Sequence, residues 1–181
     1  MVDYKKNNTI SLMVTKLCHD LAGPLGGLTN GLDYLEESLS DNADGDMLAQ
    51  SVDLLKLSAG EAAARLKFFR QAYGVVGDRA LEAEQARQIV EDLIAQTKIK
   101  LIWQSVPAAL PAPHYQMLLQ ACGLMTTVLI YGGDMEVIAD NKEINIIGRH
   151  TKYHLEPSVE QAIAGSILAD EPRTIQAALC A

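Results

Sequence analysis

The segment Lys16-Leu17-Cys18-His19-Asp20-Leu21-Ala22-Gly23-Pro24 places an ammonium, an imidazole and a carboxylate within little more than one turn of a helix. A neutral imidazole, with an ordinary pKa near 6.5, keeps a free nitrogen lone pair at neutral pH and can attack phosphorus. Asp20, next to His19, can orient the ring or take its proton. Lys16, one turn back, can stabilise phosphoryl oxygens. A serine hydrolase site is not supported, because no G-x-S-x-G nucleophile elbow occurs.

The element that must carry these groups is a helix. From Ile10 to Leu39 apolar residues recur at Ile10, Val14, Leu17, Leu21, Leu25, Leu28, Leu32, Leu35 and Leu39, in alternating steps of three and four. At 3.6 residues per turn His19 lies roughly 160° from the centre of this stripe, on the solvent side. Ala22, Gly23, Gly26 and Asn30 share that outward face or its edge, leaving a hollow above the ring for a partner protein. Pro24 in a helix costs about 3 kcal/mol and each of Gly23, Gly26, Gly27 and Gly31 up to about 1 kcal/mol relative to alanine. A loop from Ala22 to Gly27 would avoid that cost. Phase decides against it, since the leucines before and after the break lie on one stripe, and a single kinked helix is expected.

After the polar turn Ser40 to Gly45, with Asp44 as candidate N-cap, a second stripe runs Leu48, Val52, Leu55, Ala59, Ala62, Leu66, Phe69 and Tyr73 and stops near Gly74. Two helices of about thirty residues are each roughly 45 Å long and bear more apolar surface than one hairpin can cover. A second copy of the hairpin would complete a four-helix bundle, so a homodimer is expected; packing on the rest of the chain is the alternative.

Beyond Gly77 the pattern becomes mixed. A helix is expected from Ala80 to Thr97, a strand from Ile99 to Ser105 and a proline-rich loop from Pro107 to Pro113. A helix from His114 to Tyr131, a hairpin of Met135 to Ala139 with Glu143 to Ile147, and short helices over Ser158 to Leu168 and Arg173 to Ala181 complete the order. The fold class is therefore α+β, with residues 1–76 a helical-hairpin domain and 77–181 a small α/β sandwich with helices on one face of its sheet.

Composition narrows the function further. A net charge of −8 argues against direct nucleic-acid binding. The absence of a long apolar run and of a signal peptide suggests a cytoplasmic protein with no membrane span. Cys18, Cys122 and Cys180 lack metal spacing and read as buried or inert thiols. His150 and His154 read as surface histidines, Met13, Met117 and Met125 as core, and Trp103 as a core anchor.

The pattern His19-Asp20-x-x-x-Pro24 resembles the H-box of histidine-kinase dimerisation helices. With Gly31-Leu32-Asp33-Tyr34-Leu35-Glu36, Phe68-x-Arg70-x-Ala72-Tyr73-Gly74 and Leu101-x-Trp103, nearly the whole chain resembles the ChpT-type histidine phosphotransferases. That resemblance implies a homodimeric four-helix bundle followed by a degenerate histidine-kinase ATP-binding domain that binds no ATP. It also implies a relay of phosphoryl groups from the receiver domain of a hybrid kinase to response regulators, in known cases controlling the cell cycle. His19 would be the phosphorylated residue, and docking would use Ala22, Gly23, Gly26 and Asn30, joined by Phe68 and Arg70. The chain itself would hold no cofactor, Mg²⁺ being supplied by the receiver. The sequence agrees about the nucleotide: the helix from His114 carries no Asn for an N-box, Gly148-Arg149-His150-Thr151 stands in place of a D-x-G-x-G turn, and no P-loop occurs. The family continues into more helix and a closing strand, so the second domain is expected to be incomplete. Gly23 stands where phosphatase-active kinases carry Thr or Asn, so little phosphatase activity is expected. A non-catalytic dimeric adaptor that holds receivers, and an autophosphorylating histidine kinase, are the alternatives.

Overall fold

The computed structural model describes residues 4–40, 45–75, 81–140 and 142–163. Helix α1 runs unbroken from Tyr4 to Ser40 with Pro24 inside it, and α2 spans Gly45–Tyr73. The continuity inferred from the phase of the leucines is therefore what the chain adopts. The expected N-cap Asp44 lies outside the described residues.

Where the two helices meet, small residues of α1 face Ser58 and the stripe residue Leu55 of α2. A Cβ added to Gly27 would overlap Ser58 Oγ, and one added to Gly31 would lie 2.9 Å from Leu55 Cγ and Cδ2. These two glycines, one turn apart, let the backbones approach. Ser38, Ser51 and Ser58 are buried along the hairpin. The hydroxyls of Ser38 and Ser51 donate to the carbonyls of Tyr34 and Met47 at 2.7 and 2.9 Å, so these polar groups are satisfied within their own helices. Ile10, Val14, Leu25, Leu32 and Leu39 on α1 and Leu48 and Leu66 on α2 remain exposed in the single chain.

The remainder forms a mixed layer. A two-residue strand β1 (Leu81–Glu82) pairs antiparallel with β3 (Ala109–Leu110), a short ladder that the sequence reading had divided between a helix and a loop. Helix α3 covers Ala83–Ile94, β2 Ile99–Trp103, α4 Ala112–Val128, β4 Gly133–Ala139, β5 Ile144–Arg149 and α5 Pro157–Ile163. The main sheet has the order β2-β4-β5, with β2 parallel to β4 and β4 antiparallel to β5. Gly132 and Gly133, at φ of 95° and 123°, make the turn into β4, a conformation that other residues adopt only under strain. The expected helix over Arg173 to Ala181 lies outside the described residues.

One continuous core joins the two regions. Phe68, Phe69 and Ala72 from the end of α2 pack with Ile89 and Val90 of α3, Tyr115, Leu118, Leu119 and Cys122 of α4, and Met135 and Val137 of β4. Trp103 and Met125 pack against this cluster, as expected of core residues, and so does Met13. Met117 differs: it is 48% exposed, on the outer side of α4. The last carbonyls of α2 have no partner within the helix, and α4 supplies them, Gln116 Nε2 donating to Gly74 O at 2.8 Å and Gln120 Nε2 to Ala72 O at 2.7 Å. An ion pair of Lys67 with Asp92 at 2.8 Å adds a link from α2 to α3, and Lys67 holds the Asp92 carboxyl below the usual carboxylate range.

Candidate functional site

His19 stands on the outside of α1 with 86% of its side chain exposed. Of the buried positions on α1, Pro24, Gly31 and Ser38 lie about 100–140° round the helix from His19, whereas Leu12, two turns earlier, shares its side. Asp20 lies between two cationic or potentially cationic neighbours. Its Oδ2 accepts a hydrogen bond from Lys16 Nζ at 3.0 Å, and its Oδ1 is 3.5 Å from His19 Nδ1. The second distance is within ion-pair reach but long for a formed hydrogen bond. This arrangement leaves Nε2 as the ring nitrogen facing away from Asp20. The Lys16 and Asp20 side chains are only 16% and 25% exposed, so the pair is a fixed support beneath a free ring.

The neighbouring surface is open where the sequence reading expected a hollow. Ala22, Gly23, Gly26 and Asn30 are all exposed, and a Cβ built on Gly23 or Gly26 meets nothing within 4 Å. Arg70 on α2 is exposed as well. Phe68 requires correction as a docking residue: it is 3% exposed, its ring edge-on to Phe69 and Tyr73 at centroid distances of 6.0 and 6.4 Å. An aromatic ring so placed supports α2 against the second region and is not available to a partner. Of the thiols, Cys18 is exposed and Cys122 is buried. Cys180 lies outside the described residues.

A second wall faces His19. Thr15, Lys16, His19 and Asp20 line one side of a cavity of about 530 Å³, and Thr127, Val128, Ile130, His154, Leu155, Glu156 and Val159 line the other. His154 is held by its own backbone N–H, which donates to Val128 O at 2.9 Å, and its Nε2 lies 3.4 Å from Glu156 Oε1. In the sequence His154 has only the marks of an ordinary surface histidine. No spacing rule could have found it, since it reaches the cavity through the packing of the segment after β5 on the end of α4. His150 is engaged differently, with its Nδ1 at 2.5 Å from Lys152 O. Among the described residues no cluster of three or more metal-ligating side chains occurs. No helix among them is long and apolar enough to cross a membrane.

An α+β chain that presents a histidine on a long helical hairpin, braced by a small mixed sheet, has the architecture of a bacterial phosphotransferase of known structure. That structure, solved at 1.7 Å, superimposes with a TM-score of 0.79 over 99% of this chain and 86% of its own, at 22% identity. The sequence model of the histidine phosphotransferase C-terminal domain matches residues 83–181, and the chain belongs to that histidine phosphotransferase family. It is 30% identical over 129 residues to the protein phosphotransferase ChpT of Brucella abortus (strain 2308), an alignment that spans 70% of this chain and 58% of that protein's length.

Proposed function

We propose that this protein is a histidine phosphotransferase in which Nε2 of His19 accepts a phosphoryl group from a receiver-domain aspartate of a hybrid kinase and passes it to the receiver of a response regulator. The observation that carries this reading is the exposed His19 ring standing on the fixed Lys16–Asp20 pair, in a chain of the histidine phosphotransferase family. In the forward step the Nε2 lone pair forms a bond to phosphorus, the acyl-phosphate P–O bond breaks, and the donor aspartate leaves as a carboxylate. The proton released from the ring leaves by way of Asp20 to solvent. By offsetting the charge of Asp20, Lys16 keeps that carboxylate from repelling the transferred phosphoryl oxygens. The receiver brings Mg²⁺, whose chemistry is to neutralise charge on the phosphoryl oxygens, and transfer then needs little beyond alignment.

The open ridge of Ala22, Gly23, Gly26 and Asn30, with Arg70 beyond it, gives the receiver a close approach to His19. The absence of an N-box, of a D-x-G-x-G turn and of a P-loop in the sequence supports a relay that takes its phosphate from a protein donor and not from ATP. The exposed apolar residues of α1 and α2 support a homodimer in which two hairpins form a four-helix bundle. Gly23 supplies no group to position water, so little phosphatase activity toward a bound phospho-aspartate accompanies transfer.

Relay is tested with two receivers. A phosphorylated donor receiver is mixed with an unphosphorylated acceptor receiver, with and without this protein. Label reaching the acceptor only when the protein is present supports the relay. Binding of both receivers without passage of label would make the chain a non-catalytic adaptor.

A further inference from the structure

We propose that His154 is a phosphoryl-binding residue, which takes up a proton when His19 is phosphorylated and holds the phosphoryl group inside the cavity the two histidines share. This rests on His19 being the phosphorylated residue and adds a role for the second region of the chain.

The cavity is large enough for a phosphoryl group, and its wall opposite α1 is mostly apolar, with Val128, Ile130, Leu155 and Val159 around the polar pair His154–Glu156. Among the described residues, the charged and titratable groups that line it are few. From α1 come Lys16, His19 and Asp20; from the segment after β5 come His154 and Glu156; α4, the turn after it and α5 contribute only Thr127, Val128, Ile130 and Val159. Lys16 and Asp20 cancel at 3.0 Å. A phosphoryl group on His19 brings nearly two negative charges into the cavity. Lys16 is charged already and committed to Asp20, so His154 is the lining group whose charge can respond. Protonation from solvent turns it from a neutral ring into a cation with two donors, one directed to Glu156 and one left for a phosphoryl oxygen. Its position does not depend on its ring, because the backbone bond to Val128 O anchors it. The imidazole is about half exposed, so the gain is that of a partly solvated ion pair.

The test labels the whole 181-residue chain chemically with phosphoramidate, which needs no receiver. Nε2 of His19 forms a bond to phosphorus, the donor's P–N bond breaks, and ammonia leaves as ammonium with the ring proton. Imidazole NMR then follows His154 through a pH titration before and after labelling, and the decay of the label is timed in wild type, His154→Ala and His154→Arg. The cradle predicts that the His154 midpoint rises by about one pH unit on labelling. Label lifetime near neutral pH should fall about two- to five-fold in His154→Ala. His154→Arg should restore it with a flatter pH dependence, an effect a merely structural residue would not produce. A stationary His154 midpoint, or a lifetime in His154→Ala equal to or longer than wild type, overturns the cradle while leaving His19 as the acceptor. Failure of wild type to take label at His19 overturns both readings.

Discussion

In the proposed relay, His19 would gain its reactivity from what stands beside it. Asp20 is held in place by Lys16 and keeps one oxygen turned to Nδ1, so that the outer nitrogen keeps its lone pair toward an approaching phosphorus. Asp20→Asn preserves shape but cannot accept a proton, and single-turnover transfer from a phosphorylated receiver should slow by about ten- to a hundred-fold. The melting temperature should fall only modestly, because Lys16–Asp20 is one part-buried i,i+4 pair within a single helix. Tyr115 makes a different residue-scale prediction. Its ring is 1% exposed, its hydroxyl has no hydrogen-bond partner among the described residues, and burial pushes its pKa up to about 12. The folded state then binds its phenolic proton more tightly than the unfolded chain does. The associated stability is complete below the unfolded value near 10 and is lost as pH rises toward 12. Tyr115→Phe, which removes the unpaired hydroxyl and keeps the ring, should be neutral or stabilising by about 1 kcal/mol at pH 7. It should also resist alkaline unfolding better than wild type in a denaturant titration repeated across pH 9 to about 12.

At the scale of the element, the glycines of α1 divide into two kinds that the sequence alone made look alike. Gly27 and Gly31 are the contact with α2, and Gly31→Ala should destabilise the protein by about 1 to 3 kcal/mol by forcing the helices apart. Gly23 and Gly26 face open space, so Gly23→Ala or Gly26→Ala should raise stability by up to about 1 kcal/mol each. The same changes should lower the rate of receiver-dependent labelling if the ridge is where a receiver lands. Stability from thermal melts and rates from labelling of one variant set check both halves. The leucine periodicity revealed the existence, continuity and outward histidine of α1, because a three-four repeat keeps its phase across Pro24, but not its start at Tyr4, six residues before the stripe begins. It did not reveal which surface meets α2. On the α1 side that seam is built from Gly27 and Gly31, set against Ser58 and Leu55, and glycines leave no hydropathy signal. The β1–β3 ladder was illegible for a related reason: two residues are too few to show alternation, and their pairing spans a helix and a strand. Phe68 was misassigned because a motif gives position along a helix and not the neighbour that α4 would bring against it.

The whole molecule is held together at the end of α2, where Phe68, Phe69 and Ala72 enter the same core as α3 and α4, and where Gln116 and Gln120 receive the terminal carbonyls. The histidine helix is thereby fixed relative to the small sheet, and the cavity between them follows from that fixed relation. No local pattern announced the cavity, since its two walls lie more than a hundred residues apart in sequence. The apolar surface left on the hairpin points to assembly: Leu25→Lys with Leu32→Lys should convert a dimer to monomers in sedimentation, while the fold of each chain survives because both side chains are exposed in the single protomer. The account's central claim is that the phosphoryl group is carried by the imidazole at position 19. It is tested most directly by incubating the protein with a phosphorylated receiver, digesting at alkaline pH and mapping the modified peptide by mass spectrometry. The account predicts one acid-labile phosphoryl group on His19 and none in His19→Ala. An acid-labile group found on another histidine, or one that persists in His19→Ala, would contradict it.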